Sequence, residues 1–87
     1  NKLVVICPPD HKFAKRASLK AKDLAGQDFV HFERDTPTRK AIDKILRTKG
    51  VDVTKVAEFD NIETIKRAVE VGFGIAIMPL PSVLDEQ

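Results

Sequence analysis

The stretch FVHFERDTPTRKAIDKIL, residues 29–46, decides the fold because the spacing of its apolar residues changes within it. The first four residues form a short apolar and aromatic run that is typical of a buried strand. Thr36 and Pro37 then predict a helix start, since a threonine hydroxyl can accept from a free helix amide and proline needs no donor at the first helical position. A helical stripe follows at Ala41, Ile42, Ile45 and Leu46. The stretch therefore predicts a strand that passes through a tight turn into a helix.

Three further strands are predicted from the apolar runs LVVIC at residues 3–7, VAEF at 56–59 and IAIM at 75–78. The first run is apolar on both faces, as expected for a strand that is buried on both sides. Gly50 is expected to end the first helix. Asp60 and Glu63 predict the capped start of a second helix. Its apolar face is expected at Ile62, Ile65, Ala68 and Val69.

The order of these elements predicts an α/β domain over residues 1–87, with a mostly parallel sheet, right-handed crossovers and flanking helices. Residues 11–28 are expected to form a polar connection with one or two helical turns, and residues 82–84 a further short turn. In open sheets of this kind, ligands bind beyond the carboxyl ends of the strands. The turns after Phe32 and Phe59 are therefore expected at the binding edge.

The composition is that of one small globular domain. The chain has 87 residues, of which 43% are hydrophobic and 32% are charged. Its net charge of +2 is too small to predict nucleic-acid binding by this chain itself. No apolar run approaches the length of a membrane span, so no membrane partner is expected. Cys7 lies in an apolar run and is the only cysteine, which predicts a buried thiol in a reduced compartment.

The side chains do not form a catalytic or metal-binding pattern, so no enzyme activity, metal or cofactor is predicted. Two prolines separate Cys7 from His11, and Cys7 is expected to point into the core. The two histidines lack further cysteine or histidine partners at zinc spacing. His31 lies within a strand and is expected to be packed and hydrogen-bonded. The chain is therefore expected to be a binding module.

Two strand-to-helix turns are the strongest candidates for a ligand site. Helix N-termini present unpaired amides and a partial positive charge, which favour anions such as carboxylate or sulfate. The DTPTR turn adds two hydroxyls and Arg39, and the DNIE turn adds Asn61, which can both donate and accept. The same residues can equally do no more than cap their helices. The residue chemistry alone leaves both interpretations open.

Four segments of the chain, taken in order, are similar to segments of one protein family. They are VVICPPDHKFAK, LKAKDLAGQDFVHFE, TRKAIDKIL and EFDNIETIKRAVEVGFGIAIMP. The last segment is the most specific, since its Asp-Asn, Ile-Lys, Gly-x-Gly-Ile and closing proline all match in position. Together the segments cover nearly the whole chain, which resembles the effector-binding domain of LysR-type transcriptional regulators.

The resemblance implies a fold and a role. Members of this family carry an N-terminal winged helix-turn-helix and a linker helix, followed by a two-lobed domain like a type 2 periplasmic binding protein. A small-molecule effector binds between the lobes and changes DNA binding. Residues 1–87 resemble the second lobe alone, so the first lobe and the DNA-binding domain are expected in a parent chain. The protein is then expected to be cytoplasmic and homo-oligomeric, and to contact DNA only through that other domain.

The resemblance also implies, by position, which residues contact the effector. They are Arg34, Asp35, Thr36, Pro37, Thr38, Asn61 and Ile62. The family frequently has Gly-Ser-Gly-Thr-Arg where this chain has Asp35-Thr36-Pro37-Thr38-Arg39. Pro37 removes an amide donor and Asp35 adds a negative charge, so the turn differs from a simple anion cradle. His11, in the Pro-Asp-His segment, is expected to have a structural role.

Two other functions are compatible with a lobe of this kind. An export signal upstream would indicate a lobe of a periplasmic solute-binding protein, whereas an upstream helix-turn-helix would indicate the regulator. A catalytic residue on a partner lobe would indicate a two-lobed α/β enzyme. Because the chain begins with Asn1 rather than methionine, it is expected to be part of a longer protein, and the sequence before Asn1 would distinguish the first two functions.

Overall fold

The computed structural model describes residues 2–16 and 19–84, with the side chains of all of these except Ser82 and Leu84. Within these residues, strands and helices follow one another along the chain. Their bounds are β1 Leu3–Ile6, β2 Asp28–Phe32, α1 Pro37–Thr48, β3 Thr54–Phe59, α2 Ile62–Glu70, β4 Ala76–Pro79 and α3 Leu80–Leu84. Two 3-10 turns, Lys12–Lys15 and Ala21–Leu24, lie in the connection between β1 and β2, as the sequence predicted.

The strands form two pairs of opposite sense. β2 and β3 run parallel with Phe32 opposite Phe59, whereas β1 and β4 run antiparallel with Leu3 opposite Pro79. The predicted α/β class is confirmed, but the sheet is mixed rather than mostly parallel. A crossover helix imposes parallel pairing on the strands that it joins. β1 and β4 come from the two ends of the chain, so no single crossover sets their relative direction.

One parallel bridge joins the two pairs. Phe29 of β2 lies opposite Ile75, which directly precedes β4. The Val30 N–H donates to the Ile75 carbonyl, and the Ile75 N–H donates to the Asp28 carbonyl, each at 2.8 Å. The strands therefore lie in the spatial order β3, β2, β4, β1.

This order brings four parts of the chain to one edge, which we call the carboxyl edge. β2, β3 and β4 point their C-terminal ends toward it, and the antiparallel β1 starts there. The edge therefore holds the turn after Phe32, the turn after Phe59, and both the entry and the exit of the chain. The Leu80 N–H donates to the Lys2 carbonyl at 2.8 Å, which holds entry and exit side by side.

The core is built around β2, on which both α1 and α2 pack. Phe29, at the junction of the two strand pairs, is completely buried. The buried apolar side chains are Phe13, Leu24, Phe29, Val30, Phe32, Ile42, Leu46, Val51, Ile65, Ala68, Val69, Ile75, Ala76, Ile77 and Met78. Three of the four residues predicted on the apolar face of the second helix are fully buried, and Ile62 is half-buried.

Two predictions about burial at the start of the chain were wrong. β1 is half-buried along its whole length rather than buried on both sides, because it is the outermost strand in the order. Cys7 lies beyond the end of β1 and is also only half-buried. Even this partial burial disfavours the thiolate and raises the pKa of the Cys7 thiol.

The capping residue of α2 also differs from the prediction. Asn61, rather than Asp60, is the N-cap, because α2 begins at Ile62 and Asn61 is the extended residue directly before it. Its Oδ1 atom accepts from the Glu63 N–H at 2.8 Å and from the Thr64 N–H at 3.2 Å. The predicted N-cap was therefore wrong by one residue, and Asn61 has the capping role that the sequence assigned to Asp60.

Candidate functional site

The first turn at the carboxyl edge is fixed by Thr36. Its Oγ1 atom accepts from the Arg39 N–H at 3.1 Å, which confirms the predicted N-cap of α1, with Pro37 as the first helical residue. The same hydroxyl donates to the Glu33 carbonyl at 2.9 Å. Both roles of the hydroxyl are therefore used within the protein. Thr38 has no such hydrogen bond among the described residues, so its hydroxyl is the one open to a ligand.

The second turn lies directly beside the first. The Glu33 N–H, just after β2, donates to the Phe59 carbonyl at the end of β3, at 2.9 Å. This bond brings the turn that starts α1 against the turn that starts α2. The predicted site residues on either side of it, Arg34 to Thr38 and Asn61 with Ile62, therefore lie at one edge of the fold.

Arg34 and Asp35 form the exposed tip of the first turn. Among the residues that the structure describes, neither side chain makes an ion pair or a hydrogen bond. Asn61 is exposed as well, and its Oδ1 atom is occupied by the cap of α2. The tip thus offers a cation and an anion to the solvent, side by side.

A depression of about 400 Å³ begins at the carboxyl edge and runs along α1. Of the seven predicted site residues, only Pro37 and Thr38 line it. The other lining residues are Leu3, Ala41, Lys44, Ile45 and Pro79. Most of these are apolar, and Lys44 is the cation among them. The sequence did not mark Lys44, and it placed Ile45 and Ala41 on the apolar stripe of the helix. Both of these are exposed instead, and they line this depression because α1 packs beside the ends of β1 and β4.

Arg39 has a different role from the one that its position in the motif predicted. Its guanidinium donates to both carboxylate oxygens of Asp43, at 3.0 and 3.1 Å, to Glu58 at 3.0 Å and to the Phe32 carbonyl at 2.9 Å. Burial lowers the pKa of Arg39, but the hydrogen bonds to Asp43 and Glu58 outweigh it and hold that pKa above its ordinary value. Arg39 therefore stays charged, and its charge is balanced by Asp43 and Glu58 within the protein rather than presented to an anionic ligand.

His31 is buried beside this group, with its ring 5.2 Å from the ring of Phe29. Burial lowers the pKa of His31, and the nearby charge of Arg39 lowers it further, so the ring is neutral at pH 7. The prediction of a packed ring is confirmed. Its Nδ1 atom, however, has no hydrogen-bond partner among the described residues, contrary to the expectation that the ring is hydrogen-bonded.

A second depression, of about 480 Å³, lies between β1 and α2 and contains none of the predicted site residues. Its charged lining is internally paired, since Lys66 lies 3.4 Å from Glu63 and Arg67 contacts Glu70. Cys7 lines it too. His11 does not: its Nδ1 atom accepts from the Phe13 N–H at 3.0 Å, which is the structural role that the sequence predicted.

The described part of the chain contains neither a cluster of metal ligands nor a membrane-spanning helix. Across residues 2–16 and 19–84, His, Cys, Asp and Glu side chains do not gather in groups of three that could hold a metal ion. None of the helices in that part is long and apolar enough to cross a membrane. The two turns and the depression along α1 are thus the candidate functional site.

The whole chain, residues 1–87, matches the family described as the LysR substrate binding domain. The chain belongs to this family. The resemblance that the four sequence segments indicated is therefore confirmed, and it extends to both turns at the carboxyl edge.

Curated relatives in this family are transcriptional regulators. A probable RuBisCO transcriptional regulator from Cyanidioschyzon merolae is 36% identical over 99% of this chain. The HTH-type transcriptional regulator CbbR from Cereibacter sphaeroides is 35% identical over 94% of it. The chain spans only 29% and 27% of the length of these two proteins, respectively.

Solved structures of the same family have the same fold. The CcmR regulatory domain of Synechocystis PCC6803, in complex with 2-PG, gives a TM-score of 0.89 at 29% identity. The effector binding domain of QuiR, in complex with shikimate, gives 0.89 at 26% identity. The match covers 98% of this chain in both cases, and 40% and 41% of the two solved chains. Both of these domains were solved with a small molecule bound.

Proposed function

We propose that residues 1–87 are the second lobe of a two-lobed, type 2 periplasmic-binding-protein-like domain that senses a small effector. The lobe acts as a sensor without a catalytic role of its own, in a regulator that binds DNA through an N-terminal winged helix-turn-helix. Because such a regulator acts on DNA, we place it in the cytoplasm. The full-length relatives, of which the chain spans less than a third, support this architecture.

The observation that carries the proposal is the convergence at the carboxyl edge. The chain enters through β1 and leaves through β4 at the same edge that holds both strand-to-helix turns. A first lobe joined through these two strands would therefore face the turns directly. This chain matches only 40% of the CcmR regulatory domain, so the remaining part of that domain is large enough to contain such a lobe. An effector between the lobes would shift their arrangement by binding one arrangement more tightly than another.

The turn indicates the chemistry of the effector. Arg34 is an exposed cation beside the N-terminus of α1, without an ion-pair partner among the described residues, and a carboxylate or phosphate is favoured there. Asp35 repels a simple anion but accepts a hydrogen bond from a hydroxyl. We therefore propose a hydroxylated organic acid, with its anionic group on Arg34 and its hydroxyl near Asp35 and Thr38. The shikimate bound by the QuiR domain is an acid of this class.

Replacing Arg34 by glutamine in the intact regulator tests this site. We expect the effector concentration for half-maximal change in DNA binding to rise about tenfold or more, because one charge-assisted hydrogen bond is lost. The measurement is a titration of DNA affinity with a panel of small organic acids that includes 2-PG and shikimate. Arg47→Gln is the matched control, since Arg47 is also an exposed arginine but lies in the last turn of α1.

The control should respond like the unmodified regulator. If Arg34→Gln and Arg47→Gln give the same titration curve, the turn does not contact the effector and the site is wrong. Because the Arg34 side chain makes no ion pair or hydrogen bond with the described residues, neither substitution is expected to change folding, which thermal unfolding of both variants checks.

We further propose that the protein self-associates through α1. Ala41 and Ile45 lie one helical turn apart on its exposed side, and Ile45 is 40% exposed. An exposed apolar surface of this kind favours association with another copy. We expect Ile45→Glu to shift this chain toward the monomer, because a charge would have to be buried without a partner.

Sedimentation velocity at several protein concentrations measures this change. Val71→Glu is the control, since Val71 is also an exposed apolar residue but lies at the end of α2 rather than on α1. A concentration-independent monomer before any substitution would refute self-association of the lobe. Equal shifts by both variants would show that the contact does not involve α1.

A further inference from the structure

We propose that Arg39 is a positioning residue that holds the effector turn, residues 33–36, in the shape that presents Arg34. This inference rests on the proposed function, which gives the turn an effector to receive. The Arg39 side chain is only 12% exposed, and its donors point at groups of the protein itself. Arg34, in contrast, is exposed and points its charge to solvent. The two arginines of the segment 34–39 thus have separate roles: Arg34 contacts the effector, and Arg39 positions the turn.

Arg39 closes the effector turn from both of its ends. Its backbone N–H donates to the Thr36 hydroxyl, and that hydroxyl donates to the Glu33 carbonyl at 2.9 Å. Its guanidinium donates to the Phe32 carbonyl, at the other end of the turn, at 2.9 Å. Arg34 lies between these points without a bond of its own within the described residues. The part of this closure that belongs to the Arg39 side chain is the bond from its guanidinium to the Phe32 carbonyl, and we propose that this bond helps to place Arg34.

The same guanidinium ties the turn to two further elements. It donates to Glu58 on β3 at 3.0 Å and to Asp43 on α1 at 3.0 Å. Hydrogen bonds from Arg39, and then from Lys55, hold the pKa of Glu58 below its ordinary value, so Glu58 stays ionised and paired. Hydrogen bonds between ionised partners are stronger than neutral ones. Arg39 thereby joins the ends of β2 and β3 to the first turns of α1.

The arrangement requires a guanidinium rather than a positive charge alone. Arg39 uses a planar fork, with Nε on Asp43 and a terminal nitrogen shared by Glu58 and the Phe32 carbonyl. A lysine ammonium is a point charge without this fixed geometry. Arg39→Lys therefore keeps the charge and removes the simultaneous contacts, which isolates positioning from electrostatics.

Local hydrogen exchange in the intact regulator tests the proposal, measured by mass spectrometry on peptides that cover residues 33–40. In Arg39→Lys, exchange there should be about tenfold faster, as expected when a charge-assisted hydrogen bond that closes the turn is lost. Peptides from β1 and β4 should exchange at unchanged rates. Arg67→Lys is the matched control, because Arg67 also pairs with a carboxylate, Glu70, but on the exposed surface of α2. It should leave residues 33–40 unchanged.

A double variant adds a readout of the contact itself. If Arg39 acts partly through Glu58, the two substitutions are coupled. The acceleration of exchange in the double variant Arg39→Lys with Glu58→Gln should then be smaller than the product of the accelerations in the two single variants. Multiplicative effects would overturn the coupling to β3. Unchanged exchange at residues 33–40 in Arg39→Lys would overturn the positioning role. Equal acceleration across the whole lobe would overturn it too, because general destabilisation produces that result.

The exchange experiment uses no effector, so its result is independent of the proposed effector site. If Arg34→Gln leaves the effector response intact while Arg39→Lys accelerates exchange of the turn, the proposed site fails and the positioning role of Arg39 stands. If Arg34→Gln abolishes the response and Arg39→Lys changes neither exchange nor response, the site stands and the positioning role fails.

Discussion

Replacing Phe29 by alanine is expected to lower the free energy of unfolding of this chain by about 3–5 kcal/mol. Phe29 is 0% exposed, and its strand joins the two strand pairs at the bridge to Ile75. Truncation loses the transfer free energy of the ring and leaves a cavity in the middle of the sheet layer. A domain of this size has roughly 4–13 kcal/mol of stability in total. The substitution therefore removes a large part of the stability of the fold.

Phe73→Ala provides the matched control. Phe73 is 54% exposed in the loop between α2 and β4, so the same truncation there should change stability by no more than about 0.5 kcal/mol. Urea unfolding followed by circular dichroism measures both variants. Similar losses for the two phenylalanines would mean that the centre of the core does not lie at the junction of the strand pairs.

Gly74→Ala is expected to be the next most damaging change, at about 3 kcal/mol. A Cβ atom on Gly74 would lie 2.5 Å from the Asp28 carbonyl oxygen and 2.9 Å from its carbon. Both are backbone atoms, so a side-chain rotation cannot relieve the overlap. The same carbonyl accepts from the Ile75 N–H at 2.8 Å, so relief requires the two strand pairs to separate at their junction.

Gly50→Asn separates this steric effect from the general cost of replacing glycine. Gly50 has a φ of +67° and no atom within 4 Å of the added Cβ, and asparagine tolerates that left-handed conformation. We expect a loss within about 1 kcal/mol there, despite the larger side chain. Thermal and urea unfolding of the two variants give the comparison. If Gly74→Ala is as stable as the unmodified chain, the close approach of β2 and β4 is not as described.

Much of the candidate site could be predicted from the sequence alone. The change of apolar spacing between residues 29 and 46 predicted the strand, the Thr36 cap and Pro37 at the helix start, and the structure confirms all three. These features depend on residues close together in the chain, where a hydroxyl can reach only the amides of its own turn. The adjacency of the two turns followed from the parallel pairing of β2 and β3, which a crossover helix imposes.

Other features could not be predicted, because they depend on residues far apart in the chain. The antiparallel pairing of β1 with β4 joins the two ends of the chain, and nothing near either strand specifies it. Cys7 lies just beyond that pairing and is half-buried. The N-cap of α2 is Asn61 instead of Asp60. Both residue types cap helices well, so the sequence does not decide which of these two neighbours accepts from the helix amides.

The sequence by itself determined the family and the order of strands and helices, and it predicted the turn Arg34 to Thr38 as a candidate ligand site. Tertiary structure alone decided which of two nearby arginines, Arg34 in the turn or Arg39 in α1, is paired among the described residues. Arg34 and Arg39 are equal in the sequence, and both follow a strand end. Only folding brings Glu58 of β3 and the Phe32 carbonyl within 3.0 Å of Arg39. Because the folded lobe pairs one guanidinium with Asp43 and Glu58 and leaves the other exposed, the two arginines differ only after folding.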